Sequence, residues 1–448
     1  LSDPLALDEV ELRRLAHWVT DQVVDHLVRG DDGPALAVDT PDALQETLGG
    51  PVPTEPGDLE EAMQTLVDVA LATMQHVDHR RFFTRVPSPA AAPAILGDWL
   101  ATGFQSIAAS WGGGAGPTTV ELVVLDWLRQ LLGMPEGTEG VVLSGGSMAN
   151  VTALLAARHE VGDGVVYLAD QTHSSIGRGL TATGFDQVRV LPTGDRLRLT
   201  AAQVETAMED DDHPAIVVAT AGTTNTGAVD PLEELADLCQ AKGVWLHIDG
   251  AYGAPAHLAR PIPGLDRADS LVLDPHKWLF QPYDIGVLLV RRPGALERTF
   301  TMNPEYLADI VAADRGEVDL RNRSLELSRR GRAIKLWLTF RTYGSARIAA
   351  AIEQGLANAE RAQAILEEDE AWEIVTPAQL GIVTFARVGA TDADHVQAAA
   401  AITESGYAAV STTTLAGRAV LRLCTINPRT TEDDLAGTVS RLAAGLDS

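Results

Sequence analysis

Lysine is almost missing from this 448-residue chain: Lys242, Lys277 and Lys335 are the only three, and arginine supplies the remaining positive charge. A lysine here marks a place where arginine will not serve, and what lysine alone offers is an amine whose pKa can be lowered until it becomes a nucleophile. Cysteine is scarcer still. Cys239 and Cys424 stand far apart and outside any Cys-x-x-Cys or Cys/His pattern, so neither a disulfide framework nor a zinc site is indicated. No apolar run approaches the roughly 20 residues of a membrane span, which excludes that class and leaves a soluble globular protein. Net positive charge is lacking as well. With 62 acidic and 34 basic side chains, the formal charge of −28 argues against nucleic acid or an anionic membrane as partner. The first ten residues are acidic and lack the basic-then-apolar order of a secretory signal, so a cytoplasmic location is expected.

What is present is α/β patterning. Leu12, Leu15, Val19, Val23 and Leu27 recur at helical spacing after Asp8-Glu9, and a second helical pattern covers Leu59 to Met74; residues 1–85 read as a helical arm too small to fold alone. His76 and His79 in this stretch lack a carboxylate in the same pattern, and no metal site is expected. The segment His79 to Ser88 reads equally as a surface loop or a pocket wall. Gly112, Gly113 and Gly114 after Trp111 read as a loop that permits close backbone approach. Between residues 140 and 290, apolar runs at Val141, Val165, Val188, Ile216, Val244, Leu271 and Val287 alternate with helical patterns, which predicts a mostly parallel sheet between helices over residues 86–344. Residues 345–448 read as a smaller α+β unit, with a helix over Ala346 to Leu366 and alternating segments near Glu373 to Ala386 and Ala419 to Cys424.

In a parallel sheet the ligand sits beyond the carboxyl ends of the strands. The residues just past those ends are Ser144 to Ser147, Thr172-His173, Thr223-Thr224, Asp249 and His276-Lys277. Ser144-Gly145-Gly146-Ser147 leads into a helix and offers amide donors to a phosphate or carboxylate, or else forms an ordinary capped turn. Asp249 ends a buried strand and needs a cationic or hydrogen-bonding partner, which a protonated pyridine nitrogen or an arginine would supply. His173 is either a ring stacked on a flat ligand or a core histidine. Lys277, directly after the strand end, is either a Schiff-base lysine or a lysine paired with Asp274. Asn150 matches a glycosylation sequon but falls at a helix start and is discounted. Together these parts describe a cofactor with a phosphate, a basic ring nitrogen, a flat face and an aldehyde: pyridoxal 5′-phosphate.

Pro275-His276-Lys277-Trp278, His247-Ile248-Asp249-Gly250-Ala251-Tyr252, Ser144 to Ser147, His173-Ser174-Ser175, Gly222-Thr223-Thr224 and Arg329 to Trp337 resemble, taken as a set, the motifs of the pyridoxal-phosphate-dependent group II decarboxylases, the aromatic-L-amino-acid decarboxylase family of fold type I. The resemblance runs from the first helix to Gly344. It implies that Lys277 forms the Schiff base, Asp249 meets the pyridinium nitrogen, His173 and Ala251 cover opposite ring faces, Gly146, Ser147 and Thr224 hold the phosphate or ring oxygen, and His276 lines the pocket. Where the family has an asparagine near the phosphate, this chain has Asp274. The reaction implied is decarboxylation of an L-amino acid through a quinonoid. The catalytic set is then Lys277, His173, Asp249 and His276, and the substrate pocket draws on Arg85, Ser88, Trp111, Tyr306 and Leu320.

The resemblance also implies a homodimer, with the arm of residues 1–85 in an intertwined interface and the active site at the subunit boundary. Arg85 to Ser88 replaces the Tyr-Phe-Pro-Thr of aromatic-specific members. Leu320 occupies the position of the loop tyrosine that protonates Cα in those enzymes, which leaves Tyr306 or His276 as donor. A carbonyl product, by oxidative deamination or aminotransfer, is the alternative outcome, and a non-catalytic cofactor-binding homologue a remote one.

Overall fold

The computed structural model describes residue 3, residues 5–302 and residues 316–446. Tyr306 lies outside the described residues. Seven short strands rich in valine, isoleucine and leucine form the central sheet: β1 (Glu139–Leu143), β2 (Val165–Ala169), β3 (Val188–Leu191), β4 (Pro214–Thr220), β5 (Trp245–Asp249), β6 (Ser270–Leu273) and β7 (Gly286–Val290). Their order is β1-β7-β6-β5-β4-β2-β3. Pairs β2/β3, β2/β4, β4/β5 and β5/β6 are parallel, whereas β7 runs antiparallel to both β6 and β1. Reversing β7 between β6 and β1 leaves β1 pointing the same way as β6. The carboxyl ends of β1, β2, β4, β5 and β6 therefore share one edge. The inner strands are mostly apolar because helices cover both faces, and side chains such as Val141, Ile216, Leu246 and Leu271 are buried, while the edge strand β3 is partly exposed.

A second, antiparallel sheet follows, in the order β10-β11-β9-β8, from β8 (Trp372–Gln379), β9 (Ile382–Arg387), β10 (Ser411–Leu415) and β11 (Arg418–Cys424). It is reached through the helix Ala333–Glu367, which is longer than the expected 346–366 and is broken at Gly344, where φ is 67°. Glycine adopts that left-handed conformation without a Cβ penalty.

Three expectations are corrected. The glycines after Trp111 are not a loop but the first turn of the helix Trp111–Leu131. Ser110 caps it by accepting from the Gly113 amide at 3.2 Å, and a non-helical Gly114 packs against the Ile107 carbonyl, where a Cβ would not fit. The second arm helix ends early: Leu59–Thr65 is α-helical and Leu66–Ala70 is a π turn. The segment His79 to Ser88 is neither surface loop nor simple pocket wall. Phe82 and Phe83 are buried, the Phe83 amide donates to Ala409 O at 2.8 Å, and the Cys424 amide donates to Phe83 O at 3.0 Å, so this stretch is an added rung on the second sheet. Its far end reaches the main sheet, where the Ser88 amide donates to His276 O at 3.3 Å.

The first helix, Glu9–Arg29, is capped by Asp8 as expected, yet only Leu15 of its apolar stripe is buried, and Leu12, Val24 and Val28 face outward. Among the described residues no helix is long and apolar enough to cross a membrane.

Candidate active site

At the shared strand edge lies a cavity of about 360 Å³, lined by Ser144 to Met148, Asn150, His173, Thr224, Asp249, Ala251, Asp274, His276, Lys277 and Tyr283 among others. Each of the residues expected to hold a cofactor is in this lining. Lys277 follows β6 by four residues in a tight turn, its amide donating to Asp274 O at 2.9 Å. Its Nζ lies 3.0 Å from Asp274 Oδ2. Asp274 is buried, and its second oxygen, Oδ1, has no hydrogen-bond partner. Gly146 begins the helix Gly146–Val161, and any Cβ there would meet Asp274 Oδ2 and the Ala251 methyl. That helix N-terminus presents first-turn amides without intrahelical acceptors, beside the hydroxyls of Ser144 and Ser147.

Asp249 closes β5 and is buried, with one oxygen accepting from the Ala251 amide at 3.1 Å and the other from Asn150 Nδ2 at 3.1 Å. Asn150 is the centre of a buried chain of hydrogen bonds with one consistent direction. Trp245 Nε1 donates to Ser270 Oγ at 2.8 Å, Ser270 Oγ lies 2.8 Å from His247 Nδ1, and His247 Nε2 lies 3.1 Å from Asn150 Oδ1. The same Asn150 amide nitrogen donates to Ser175 Oγ at 3.1 Å, and Ser175 Oγ is 2.9 Å from His173 Nδ1. With the Ser270 hydroxyl donating to Nδ1 and Nε2–H donating to Asn150, His247 is neutral. Burial holds its pKa down to about 4, against the opposing pull of Asp249. One network thus orients both Asp249 and His173 in the cavity lining. The sequence reading gave Asn150, Ser175 and His247 no role, although Ser175 and His247 stand in the motifs that carry the resemblance and Asn150 was discounted as a sequon.

His276 Nδ1 lies 2.7 Å from Ile285 O and so donates, which leaves Nε2 with the lone pair of a neutral ring. Burial lowers its pKa, while Asp274 acts to raise it. Its ring lies 4.8 Å from that of Tyr283, centroid to centroid, and burial raises the Tyr283 phenol. Tyr283 too was missed by the sequence reading.

The expected substrate residues divide. Ser88 is buried beside His276. Arg85 is exposed and lines a separate depression with Ala399, Thr403 and Ser411. Trp111 and Leu320 adjoin each other through the Trp111 amide, which donates to Asp319 Oδ1 at 2.8 Å, and the Arg321 amide, which donates to Ala109 O at 2.8 Å; neither lines the cavity of its own chain. Leu320 is fully buried. Behind them Arg329, from the motif ending at Trp337, forms a buried ion pair with Glu121 at 2.6 Å and donates to Ala108 O, so its role is to hold this segment against β1.

A phosphate seat at a helix N-terminus, a buried carboxylate and an amine in one lining match the charged groups of pyridoxal phosphate, and with this sheet they define a pyridoxal-phosphate enzyme of fold type I. The comparisons narrow it. The family model described as "Pyridoxal-dependent decarboxylase conserved domain" matches residues 41–388. An aromatic-L-amino-acid decarboxylase of Bacillus atrophaeus is 40% identical over 99% of this chain and 97% of its own. A phenylacetaldehyde synthase of Arabidopsis thaliana is 30% identical over 95% and 94%. The crystal structure of Oryza sativa TDC with PLP and tryptamine superimposes with a TM-score of 0.93 at 30% identity, covering 100% of this chain and 99% of that one. This chain belongs to the pyridoxal-dependent decarboxylase family. It is a carboxy-lyase that takes an L-amino acid and uses pyridoxal phosphate.

Proposed function

We propose that the substrate is an aromatic L-amino acid and that the enzyme works as a homodimer. The observation that carries the reading is the juxtaposition, in one cavity, of the Lys277 amine, the Asp249 carboxylate and the Gly146-Ser147 helix terminus. The bound cofactor supplies an aldehyde carbon and a ring that accepts the electron pair left by departing carbon dioxide. Lys277 Nζ would be the amine that holds the cofactor's aldehyde. Asp249 would hold the proton on the ring nitrogen, and hydrogen bonds from Asn150 and the Ala251 amide aim its carboxylate. His173 and Ala251 flank the ring; Gly146, Ser147 and Thr224 bind its phosphate or ring oxygen. His276, neutral by burial, offers Nε2 to a proton in transit. An aromatic substrate is favoured by the Bacillus and Oryza relatives, and the exposed Arg85 does not stand against it.

The homodimer is supported by surface a lone chain leaves open: Leu12, Val24 and Val28 on the first helix, and Leu96, Leu100 and Phe104 on and after the helix Ala92–Gly103, with Phe104 83% exposed. In that dimer the partly exposed Trp111 serves the partner's cavity, whereas Leu320, buried in its own chain, stands behind it. The arm is residues 1–85, the cofactor-holding unit 86–344, and the small unit starts at the Gly344 break. A cytoplasmic location belongs to the same proposal, in keeping with the unpaired, buried Cys239 and Cys424.

A second reading follows from Leu320, which has no proton to give, and from the Arabidopsis relative: part of the turnover ends as carbonyl product. One panel tests both. Amino acids are assayed with and without oxygen for carbon dioxide, amine, ammonia and peroxide. Carbon dioxide with one equivalent of amine from aromatic substrates supports the first reading; ammonia and peroxide that appear only with oxygen support the second; and no carbon dioxide from any aromatic amino acid overturns the substrate assignment.

A further inference from the structure

Well away from the cavity, three side chains converge where the arm meets the segment that runs into the cleft. His26, in the last turn of the first helix, and His76 and Asp78 beyond the second arm helix each offer one ligand atom, and these atoms lie within 4.8 Å of one another. His26 Nε2 is 2.9 Å from Asp78 Oδ2, and the two imidazoles are 5.9 Å apart between centroids. In a tetrahedral zinc site, bonds of about 2.0 Å place donor atoms roughly 3.3 Å apart, so side-chain torsions alone close the difference.

The backbone beneath is already fixed. The His76 amide donates to Ala35 O at 3.1 Å, and the Asp78 carbonyl accepts from Asn427 Nδ2 at 3.1 Å and from Arg429. His76 Nε2 lies 3.3 Å from Ala72 O, a bond only Nε2–H can make, and it leaves the Nδ1 lone pair available. An outer bond of this kind sets the tautomer of metal-binding imidazoles. The nearby cation, Arg429, is offset by Asp31 at 3.3 Å. Both imidazoles border a largely apolar cavity that Trp18, Val23, Leu66 and Met74 also line. A simple ion pair would need only His26 and Asp78.

We propose that His26, His76 and Asp78 bind a divalent first-row transition ion, zinc first among them, with water in the fourth position. Two imidazoles and one carboxylate suit zinc, whereas magnesium and calcium require mostly oxygen ligands. The ion staples the first helix to the stretch that ends at Ser88. The test uses the cofactor-loaded enzyme, freed of metal by chelator and dialysis and titrated with zinc chloride by calorimetry. One saturable equivalent per chain is expected, together with a rise in Tm. His26→Gln and His76→Gln should each weaken that equivalent by at least about tenfold, whereas the control His213→Gln should leave it unchanged. A wild-type protein without a saturable equivalent, or an equivalent that survives both substitutions, overturns the site.

Discussion

Asp274 Oδ2 lies 3.0 Å from Lys277 Nζ, and the same carboxylate abuts the helix terminus at Gly146. In the absence of cofactor the two charges satisfy each other. When the amine is engaged and a phosphate dianion sits at that terminus, the carboxylate meets like charge in a buried place. Asp274→Asn should therefore tighten cofactor binding, by roughly tenfold for a like-charge contact relieved in part. Dialysis against graded pyridoxal phosphate, read by fluorescence, measures it, and equal or weaker binding by the variant would show that Asp274 does not oppose the phosphate.

Lys277→Ala should lower turnover by at least about three orders of magnitude, since no other amine lines the cavity among the described residues. Borohydride reduction of the wild-type enzyme should fix the cofactor to the peptide that contains Lys277. Cofactor fixed to Lys335 instead would reassign the site.

The network around Asn150 makes a prediction about pH. Folding lowers the His247 pKa from 6.5 to about 4, so the unfolded chain binds more protons between these values. Stability from this group is whole above pH 6.5 and is lost as pH falls toward 4. Asp230, pushed by burial from 3.8 to about 6, acts in the opposite sense: its contribution is whole below pH 3.8 and is lost as pH rises toward 6. Chemical denaturation of His247→Gln across this window should give a slope of stability against pH lower than wild type by roughly 1 kcal/mol per pH unit. A slope that matches wild type would mean His247 is not held neutral.

Asn150→Ala removes a donor from both Asp249 and Ser175. It should lower kcat/KM by roughly ten- to a hundredfold, with a changed absorption of the bound cofactor, because an unsupported carboxylate is a poorer partner for a ring proton. An unchanged spectrum would place Asn150 outside cofactor tuning.

The separation of Trp111 and Leu320 from their own cavity is open to complementation. Subunits carrying Lys277→Ala, mixed with subunits carrying Trp111→Ala, form hybrid dimers in which one cavity has both native residues. Equal mixing should restore about a quarter of wild-type activity if Trp111 serves the partner. Activity no higher than the sum of the two variants would argue that each cavity is complete within its own chain.

Much of this was legible in the residues. Runs such as Val165-Val166-Tyr167-Leu168 named their strands because a sheet covered on both faces leaves few polar positions to confuse the pattern, and Asp249 and Lys277 stood out as charges at or just beyond the ends of such runs. β10, Ser411-Thr412-Thr413-Thr414-Leu415, was missed because its side chains are only partly buried and read as a polar linker. The glycine turn after Trp111 was missed because its helix rests on the Ser110 cap and on room beside Ile107, neither of which glycine content reveals. Where Arg85, Trp111 and Leu320 sit depends on contacts across hundreds of residues, and a one-dimensional pattern carries no information on those.

The stretch from His79 to Ser88 joins three bodies that otherwise have separate duties: the arm at one end, the second sheet along its middle, and the His276 carbonyl at the other. Mechanically it is a tie rod. A change in how the second sheet packs pulls on the floor of the cavity without any residue near the chemistry being altered. Because Phe83 is tied to the backbone of Ala409 and Cys424, substitutions that shift those strands are a route by which residues that never meet the substrate bear on what the cavity admits.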